Sequence, residues 1–578
     1  MTAPDLAGAL EALRQQVAAL RLGLATPGAD AARAVQAELV GQVDDYLLPR
    51  LRRLDAPLLA VVGGSTGAGK STLVNTLVGA PVSRSGWLRP TTRGPVLVCN
   101  PRDLDWFTGD RILPELARST GDGGAGSAGT LHLVAHEGVP AGLAVLDAPD
   151  IDSVVAENRR LAGQLLSAAD LWIFVTSAAR YADAVPWDLL HTAQQRSTAL
   201  AVVLNRTPPE GVREISRHLG QMLDENGLGR ATLFAVPETT VDGDAGLLPP
   251  RVVAPLKDWL QGLAADADAR ADVIRTTLDG ALQSLRQRVA AVARETDDQL
   301  SAAAMLRDEA DTAYSDALRE VDDGVRSGSV LRGEVLARWQ EFVGTGELTR
   351  GLEERIGRWR DRVAAFVMGR QQPTDAVEEA LESSLETLVK AAAEGAAERS
   401  VDGWRVRPVG RALLTDRART LGHVSEEFRP ALQRELRAWQ AGILELVSQE
   451  GQERRTAARL ATFGTNGAGL VLMLAVFAQT GGLTGTEVII AGGTSAASHK
   501  VIEAVFGDSA VRALAATARA DLLERVEALL APEQGRFDAV VAAAAPDAGA
   551  GVALRAALDD FERARRASRA LTRPGATR

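Results

Sequence analysis

The chain has 578 residues, of which 46% are hydrophobic and 24% charged, so it is long enough for two or three domains of ordinary globular composition. With 64 basic and 75 acidic side chains, the net charge is −11, which argues against a nucleic-acid binder because such proteins normally carry a basic face. The one cysteine, Cys99, excludes an internal disulfide, and residues 1–5 give no sign of a signal peptide. We therefore expect a cytoplasmic protein.

The first predicted element is an amphipathic helix. Between residues 5 and 24, apolar side chains recur at helical spacing: Leu6, Leu10, Leu13, Val17 and Leu20. We expect this helix, within a first segment 1–54, to pack against later helices as a neck that joins the two halves of the protein.

Within residues 55–262, short apolar runs alternate with helical stretches. The runs are Leu58–Val62, Pro95–Cys99, Leu143–Leu146, Leu171–Val175, Leu200–Leu204 and Thr232–Val236. Several are rich in β-branched residues and lack polar side chains on both faces, which is typical of buried parallel strands. Strands that alternate with helices predict a doubly wound α/β domain with a mostly parallel sheet. The glycine-rich stretch 121–129 predicts a surface loop inside this domain.

After about residue 265, helical patterns replace the strand pattern. One long helix is marked by Ile274, Leu278, Leu282, Leu285 and Val289. Further apolar stripes continue to about 460, and again from about 505 to 571. Proline is scarce in this half, and Ala, Glu, Arg and Leu dominate. The sequence therefore predicts that residues 263–578 form an elongated helical bundle or stalk.

A phosphate-binding loop is predicted directly after the first strand. Residues 64–71 read GSTGAGKS, a full match to G-x-x-x-x-G-K-[ST], between that strand and a helix predicted at Thr72–Val78. In this motif backbone N–H groups face the phosphates, the lysine reaches the β- and γ-oxygens, and the hydroxyl binds Mg²⁺. A glycine-rich turn that only caps a helix is the alternative, and the strand–loop–helix context disfavours it. The residues predicted to bind the nucleotide here are Gly64, Ser65, Thr66, Gly67, Ala68, Gly69, Lys70, Ser71 and Thr72.

Two residues are predicted to complete a magnesium site with Ser71. Asp147 follows the apolar run 143–146, and an aspartate at the end of a neighbouring strand is the usual second anchor of a nucleotide-bound Mg²⁺, although it can also be a simple turn former. Thr92 precedes the strand at 95–99 and would close over the γ-phosphate and the metal as a switch loop does. Thr91 is the rival for this role, and both threonines can instead cap turns.

Three arginines surround those threonines, at positions 84, 89 and 93. They would either neutralise charge in a transition state or lie solvated on the surface, which is the commoner fate of such side chains.

The motifs resemble those of the Ras-like GTPases and, among them, the bacterial dynamin-like proteins. The resemblance rests on GGSTGAGKSTLVNTLVG (63–79), TTRGP (91–95), LDAPD (146–150) and LNRTP (204–208), which stand in the family's order. These motifs lie in the first 240 residues, and beyond them the resemblance is the long helical remainder.

This resemblance implies hydrolysis of GTP with Mg²⁺ as cofactor, and it places Lys70, Thr92 and Asp147 in catalysis. It implies that Asn205 and Arg206 lie beside the base. It further implies self-assembly, as a homo-oligomer or with a paired dynamin-like partner, and contact with a membrane.

The chain departs from the family's pattern at three places. Thr66 and Gly67 replace a glutamine–serine pair of the phosphate loop, so the usual polar contacts for catalysis are missing. Asp150 stands where a glycine normally donates its N–H to the γ-phosphate, and its carboxylate would repel phosphate unless it points away or helps to hold metal or water. The base motif 205–208 reads NRTP and lacks the aspartate that accepts two guanine N–H groups, a role that Glu210 would take only after a loop rearrangement.

One segment of the helical half, at about 460–500, is apolar. No charged residue occurs from Leu460 to Thr486, and Glu487 is the one interruption before His499. The apolar core 467–478 is shorter than the ~20 residues that span a bilayer, so we expect a hairpin that dips into one leaflet and is flanked by basic residues for anionic headgroups. A hairpin buried inside the helical domain would have the same sequence pattern.

The sequence thus predicts a cytoplasmic dynamin-like GTPase, peripheral at the inner face of the cell membrane, that couples GTP·Mg²⁺ hydrolysis to self-assembly and membrane binding or remodelling. Two alternatives stay open. One is a soluble P-loop ATPase with a helical regulatory domain, which the incomplete base motif favours. The other is a weakly hydrolysing protein that uses the bound nucleotide for assembly without membrane contact.

Overall fold

A computed structural model describes residues 5–53, 55–83, 94–120, 129–150, 156–183, 198–241, 246–327, 373–450 and 508–572, with isolated positions between them. The chain divides into two compact units. Unit 1 comprises residues 1–22, 28–297 and 547–578, and unit 2 comprises residues 23–27 and 298–546. The boundaries predicted at residues 54 and 262 stay predictions.

Unit 1 contains one eight-stranded sheet. Its strands are β1 (Leu58–Gly64), β2 (Val96–Cys99), β3 (Ala117–Thr120), β4 (Thr130–Ala135), β5 (Leu143–Asp147), β6 (Leu171–Ser177), β7 (Ala199–Thr207) and β8 (Thr232–Pro237). They lie in the order β3-β4-β2-β5-β1-β6-β7-β8, and every neighbouring pair is parallel except β2 with β5. The predicted mostly parallel α/β fold and all six predicted strands are confirmed, whereas β3 and β4 were missed.

Unit 1 also contains helices. They are α1 (Leu6–Ala19), α2 (Ala29–Gln42), α3 (Leu48–Arg52), α4 (Lys70–Val78), α5 (Leu104–Thr108), α6 (Ala156–Ser167), α7 (Val212–Glu225), α8 (Pro250–Ala265), the first half of α9 (Ala267–Arg326), and a last helix, α15 (Ala550–Thr572). Val43–Leu47 form a π-helical turn between α2 and α3. Two 3₁₀ turns lie at Pro101–Asp103 and Pro209–Gly211.

The central strand β1 is buried on both faces of the sheet. Leu59 and Val61 belong to one apolar cluster, and Leu58, Ala60 and Val62 belong to another. Since alternate residues of a strand point to opposite faces, this division shows that helices cover both sides. Burial of β1 holds the loop that follows it at the carboxyl edge of the sheet.

The first helix packs as predicted against later ones. Leu10 and Leu13 of α1 share a buried cluster with Leu282 of α9 and with Leu554 and Phe561 of α15. The helix is shorter than the pattern 5–24 suggested, because the backbone becomes extended after Ala19. Its role as a neck stays a prediction.

A buried ion pair fastens the segment after α2 to the sheet. The side chains of Arg50 and Asp170 are 3% and 0% exposed and form an ion pair. Asp170 also accepts the backbone N–H of Leu59 at 2.7 Å, while Arg50 donates to the carbonyl of Pro57 at 2.8 Å. These bonds satisfy two charges that would be costly to bury alone.

Unit 2 is helical. Besides the second half of α9 it contains α10 (Pro373–Val406), α11 (Pro408–Leu414), α12 (Ala418–Leu421), α13 (Phe428–Glu450) and α14 (Asp508–Ala544). Trp404 and Trp439 are fully buried, and their indole N–H groups donate to the carbonyls of Leu306 (2.9 Å) and Ala518 (2.8 Å). The predicted long helical region is confirmed.

The predicted apolar hairpin at 460–500 lies outside the described residues except at two positions. Met473 and Val476 are 2% and 1% exposed and belong to the buried cluster of unit 2. At these two positions the structure therefore agrees with a segment packed inside the helical unit. Across the described ranges, no helix combines the length and apolarity needed to cross a membrane.

Candidate functional site

The loop between β1 and α4 has the backbone shape that phosphate binding requires. Gly64 has φ 151° and Gly69 has φ 94°, which are values that residues with a side chain rarely adopt. A Cβ atom would lie 2.0 Å from the Val175 carbonyl oxygen at Gly64, and 2.5 Å from the Asn205 amide nitrogen at Gly69. The loop thus approaches β6 and β7 too closely for any residue but glycine at these positions.

Lys70 begins α4 and turns its ammonium group back into this loop. Its Nζ donates to the carbonyl oxygens of Gly64 (2.9 Å) and Ser65 (3.2 Å) and pairs with the carboxylate of Asp150. The side chain of Lys70 is 5% exposed and that of Asp150 is 25% exposed. In this arrangement Asp150, which stands where the resembled family has a glycine, neutralises the positive charge of Lys70 that is predicted to contact the phosphates.

Asp147 ends β5 beside the loop and is completely buried. Its carboxyl group is hydrogen-bonded by Ser71 and Ser83, with the Ser83 hydroxyl donating to Oδ2 at 2.5 Å, while Oδ1 has no partner within the described residues. Burial raises the pKa of Asp147, and the two serines and the nearby Lys70 oppose that shift. An unpartnered buried carboxylate oxygen next to a hydroxyl suits a hard cation.

The residues present fit Mg²⁺. Mg²⁺ prefers oxygen ligands and is usually held by one or two protein groups together with nucleotide phosphates and water. Asp147 and Ser71 are such groups, and the second lies at the start of α4 beside the phosphate loop. Across the described part of the chain no cluster of three or more His, Cys, Asp or Glu side chains suggests a metal site of another kind. The third predicted ligand, Thr92, lies outside the described residues, as do Thr91 and the arginines at 84, 89 and 93.

Ser83 is a site residue that the sequence reasoning missed. It is 4% exposed, and its backbone is held on both sides by Asn75 of α4. The Asn75 side chain donates to the Ser83 carbonyl at 2.7 Å and accepts the Ser83 N–H at 2.8 Å. The available signal was Asn75 itself, a buried polar residue in the first motif whose amide needs two partners.

Asn205 and Arg206 lie near the end of β7, on the other side of the loop. The Asn205 amide donates to the Ala68 carbonyl at 2.7 Å, and its oxygen accepts the Arg206 N–H at 2.9 Å. Arg206 is exposed and has φ 51°, an unfavourable backbone conformation for a residue with a side chain. Arg180, which the sequence reasoning also missed, donates to the Thr66 carbonyl at 3.3 Å and pairs with Asp183 at 2.9 Å.

The structure thus brings the predicted residues of the phosphate loop, Asp147 and Asn205 together at the carboxyl edge of one sheet. This is the edge where open α/β sheets bind ligands. Thr72 lies in the first turn of α4 next to them.

Comparison with solved structures finds likenesses along almost the whole chain. The chain is similar to bacterial dynamins. One is a chain of an oligomerised bacterial dynamin pair, at 10% identity and a TM-score of 0.39, with 96% of this chain and 94% of that chain covered. Another is LeoA, a bacterial dynamin GTPase from ETEC, at 11% identity and a TM-score of 0.25, with 98% and 97% covered.

A further likeness covers less than half of this chain. Toc33 from Arabidopsis thaliana, in complex with Mg²⁺ and GMPPNP, is 16% identical with a TM-score of 0.24, and covers 41% of this chain and 92% of that chain. No family model and no curated protein matches the sequence.

Proposed function

We propose that the protein is a dynamin-like GTPase that binds GTP·Mg²⁺ in unit 1 and hydrolyses it at the γ-phosphate. The observation that carries the proposal is the placement of Lys70, Ser71 and Asp147 around one glycine-rich loop at the sheet edge. A lysine, a hydroxyl and a strand-terminal aspartate are the groups that this class of nucleotide site uses.

Each side chain has a defined task in this proposal. Lys70 exchanges its bonds to the Gly64 and Ser65 carbonyls for the β- and γ-phosphate oxygens, and backbone N–H groups of the loop hold the phosphates in place. Ser71 and Asp147 would hold the metal, and Thr92 is proposed as a further ligand. When bound, Mg²⁺ neutralises charge on the β- and γ-oxygens. Positioning and charge stabilisation, rather than covalent chemistry, then promote attack by water.

We further propose that the nucleotide state controls assembly with a second copy or a paired dynamin-like partner, at an anionic membrane surface inside the cell. The similar bacterial dynamin pair is described as oligomerised and as sensing and tethering membranes. For this chain the support is the uncharged stretch between Leu460 and Thr486 with its basic flanks.

A second candidate is an assembly protein that works without membrane contact. The buried positions of Met473 and Val476 favour it, because apolar side chains that are buried in the core of unit 2 are not available to contact lipid. The lack of an aspartate at position 208 favours an ATPase as a further alternative, since the side chain of Pro208 cannot accept hydrogen bonds from guanine.

Hydrolysis of GTP and ATP by the purified protein, with and without anionic liposomes, tests these proposals. We expect GTP turnover that rises on liposomes and falls about 100-fold or more in Lys70→Ala, since the lysine stabilises transition-state charge. Lys390→Ala, an exposed lysine of α10, is the matched control and should behave like the wild type. Turnover of ATP instead would reject the GTPase, and GTP turnover with neither liposome stimulation nor liposome binding would favour the second candidate.

A further inference from the structure

We propose that Glu238 supplies the carboxylate that recognises the guanine base, in place of the aspartate that the base motif lacks. The inference rests on the proposed function, because it names how the same site would choose its base.

Guanine presents two donors, N1–H and the 2-amino group, along one edge of the ring. One carboxylate accepts both, and adenine offers no such pair, so a carboxylate at this place discriminates between the two bases. Asn205 cannot take the role, since its amide is already bonded to Ala68 and to Arg206. Pro208, at the position of the missing aspartate, has no acceptor in its side chain.

The strand pairing brings another carboxylate to this place. β7 runs to Thr207, which pairs with Pro237 at the end of the parallel strand β8. The next residue, Glu238, donates its N–H to the Thr207 carbonyl at 2.8 Å. Thr207, the residue before Pro208, is completely buried, so this bond fixes the backbone of Glu238 beside the base motif.

The Glu238 side chain is exposed and has no hydrogen-bond or ion-pair partner in the part of the chain that the structure describes. Other carboxylates near this edge, among the described residues, differ from it. Asp150 pairs with Lys70 on the phosphate side, and Asp183 pairs with Arg180. Glu210 lies two residues beyond Pro208, in a separate 3₁₀ turn.

Glu238→Gln tests the assignment, with Glu210→Gln as the matched control. The probe is a fluorescent GTP analogue with Mg²⁺, displaced by unlabelled GTP, ATP or XTP. Hydrogen bonds to a charged acceptor are worth roughly a 10- to 100-fold change in affinity, so we expect Glu238→Gln to lose GTP affinity by about that factor. Xanthine carries a carbonyl where guanine carries the 2-amino group, and an amide can donate to it while accepting from N1–H. The variant should therefore bind XTP more tightly than the wild type does.

Three results would overturn the inference. Unchanged GTP affinity in Glu238→Gln would remove Glu238 from the base site while leaving GTP binding intact. The same loss in Glu210→Gln, without one in Glu238→Gln, would move the role to the 3₁₀ turn. A wild-type protein that does not prefer GTP to ATP would refute the guanine specificity itself. Because both glutamates are exposed, neither substitution should prevent folding.

Discussion

The contact between Lys70 and Asp150 predicts an unusual response to substitution. Asp150→Asn should tighten nucleotide binding and at the same time lower the stability of the nucleotide-free protein. In the structure the Asp150 carboxylate pairs with the ammonium group that has to receive the phosphates. Nucleotide binding must therefore break this ion pair or place phosphate next to the carboxylate. The amide keeps the shape of the side chain and removes its charge.

The magnitude follows from the charges. Two unit charges about 4 Å apart interact by about 4 kcal/mol at an effective dielectric constant of 20. Lys70 and Mg²⁺ offset part of the repulsion between Asp150 and phosphate, and we expect about 1.5–3 kcal/mol to remain, or about 10- to 100-fold in affinity. Without nucleotide, Lys70 keeps its bonds to the Gly64 and Ser65 carbonyls. Loss of the ion pair should then lower the free energy of unfolding by about 1–2 kcal/mol, less than for a fully buried charge left alone.

The assay is a titration of the fluorescent GTP analogue with Mg²⁺, together with urea unfolding of the nucleotide-free protein. Asp183→Asn is the matched control, since Asp183 is also a paired aspartate at the same edge of the sheet but contacts Arg180 instead of Lys70. Weaker nucleotide binding by Asp150→Asn would refute the reasoning and would assign the carboxylate to holding metal or water. Equal binding would show that Asp150 moves away from the phosphates without energetic consequence.

Two further substitutions probe buried groups of unit 1. Ser83→Ala removes the hydroxyl that orients Asp147, so the Mg²⁺ concentration for half-maximal nucleotide binding should rise about 10-fold. Nucleotide affinity measured without Mg²⁺ should stay unchanged. A change in both quantities would instead indicate general damage to the loop. Burial raises the pKa of Asp45 from 3.8 to about 7, against the hydrogen bond from Gln164. The folded protein therefore holds a proton that the unfolded chain releases, and stability is lost as the pH rises from about 4 through 7. Asp45→Asn should remove this loss. In urea unfolding, the free energy of unfolding of the variant relative to that of the wild type should be about 2–4 kcal/mol more favourable at pH 8 than at pH 4. Parallel pH profiles for the two proteins would contradict the assignment.

The parts that the sequence by itself determined are those whose cause is local. The phosphate loop could be identified because residues 64–71 are contiguous and the strand and helix around them are strongly patterned. Five of the six predicted strands lie inside the sheet, where apolar residues on both faces leave a continuous signal, and the sixth, β8, is an edge strand. β4 is also interior but was missed, because buried residues alternate along it with partly exposed ones. β3 was missed because Ala117–Thr120 is a short, partly exposed edge strand with little apolar character, and it pairs with β4 alone.

Only the tertiary structure decided which distant groups meet. The Lys70–Asp150 pair joins residues 80 positions apart, and the Ser83–Asp147 bond joins residues 64 apart. The helical stripe of α1 indicated that one face is buried, but not that α15, more than 500 residues later, covers it. Strand order and register place Glu238 beside Thr207 in the same way. Hydrophobic periodicity specifies which face of an element is buried, whereas the partner of that face depends on chain closure and packing over the whole fold.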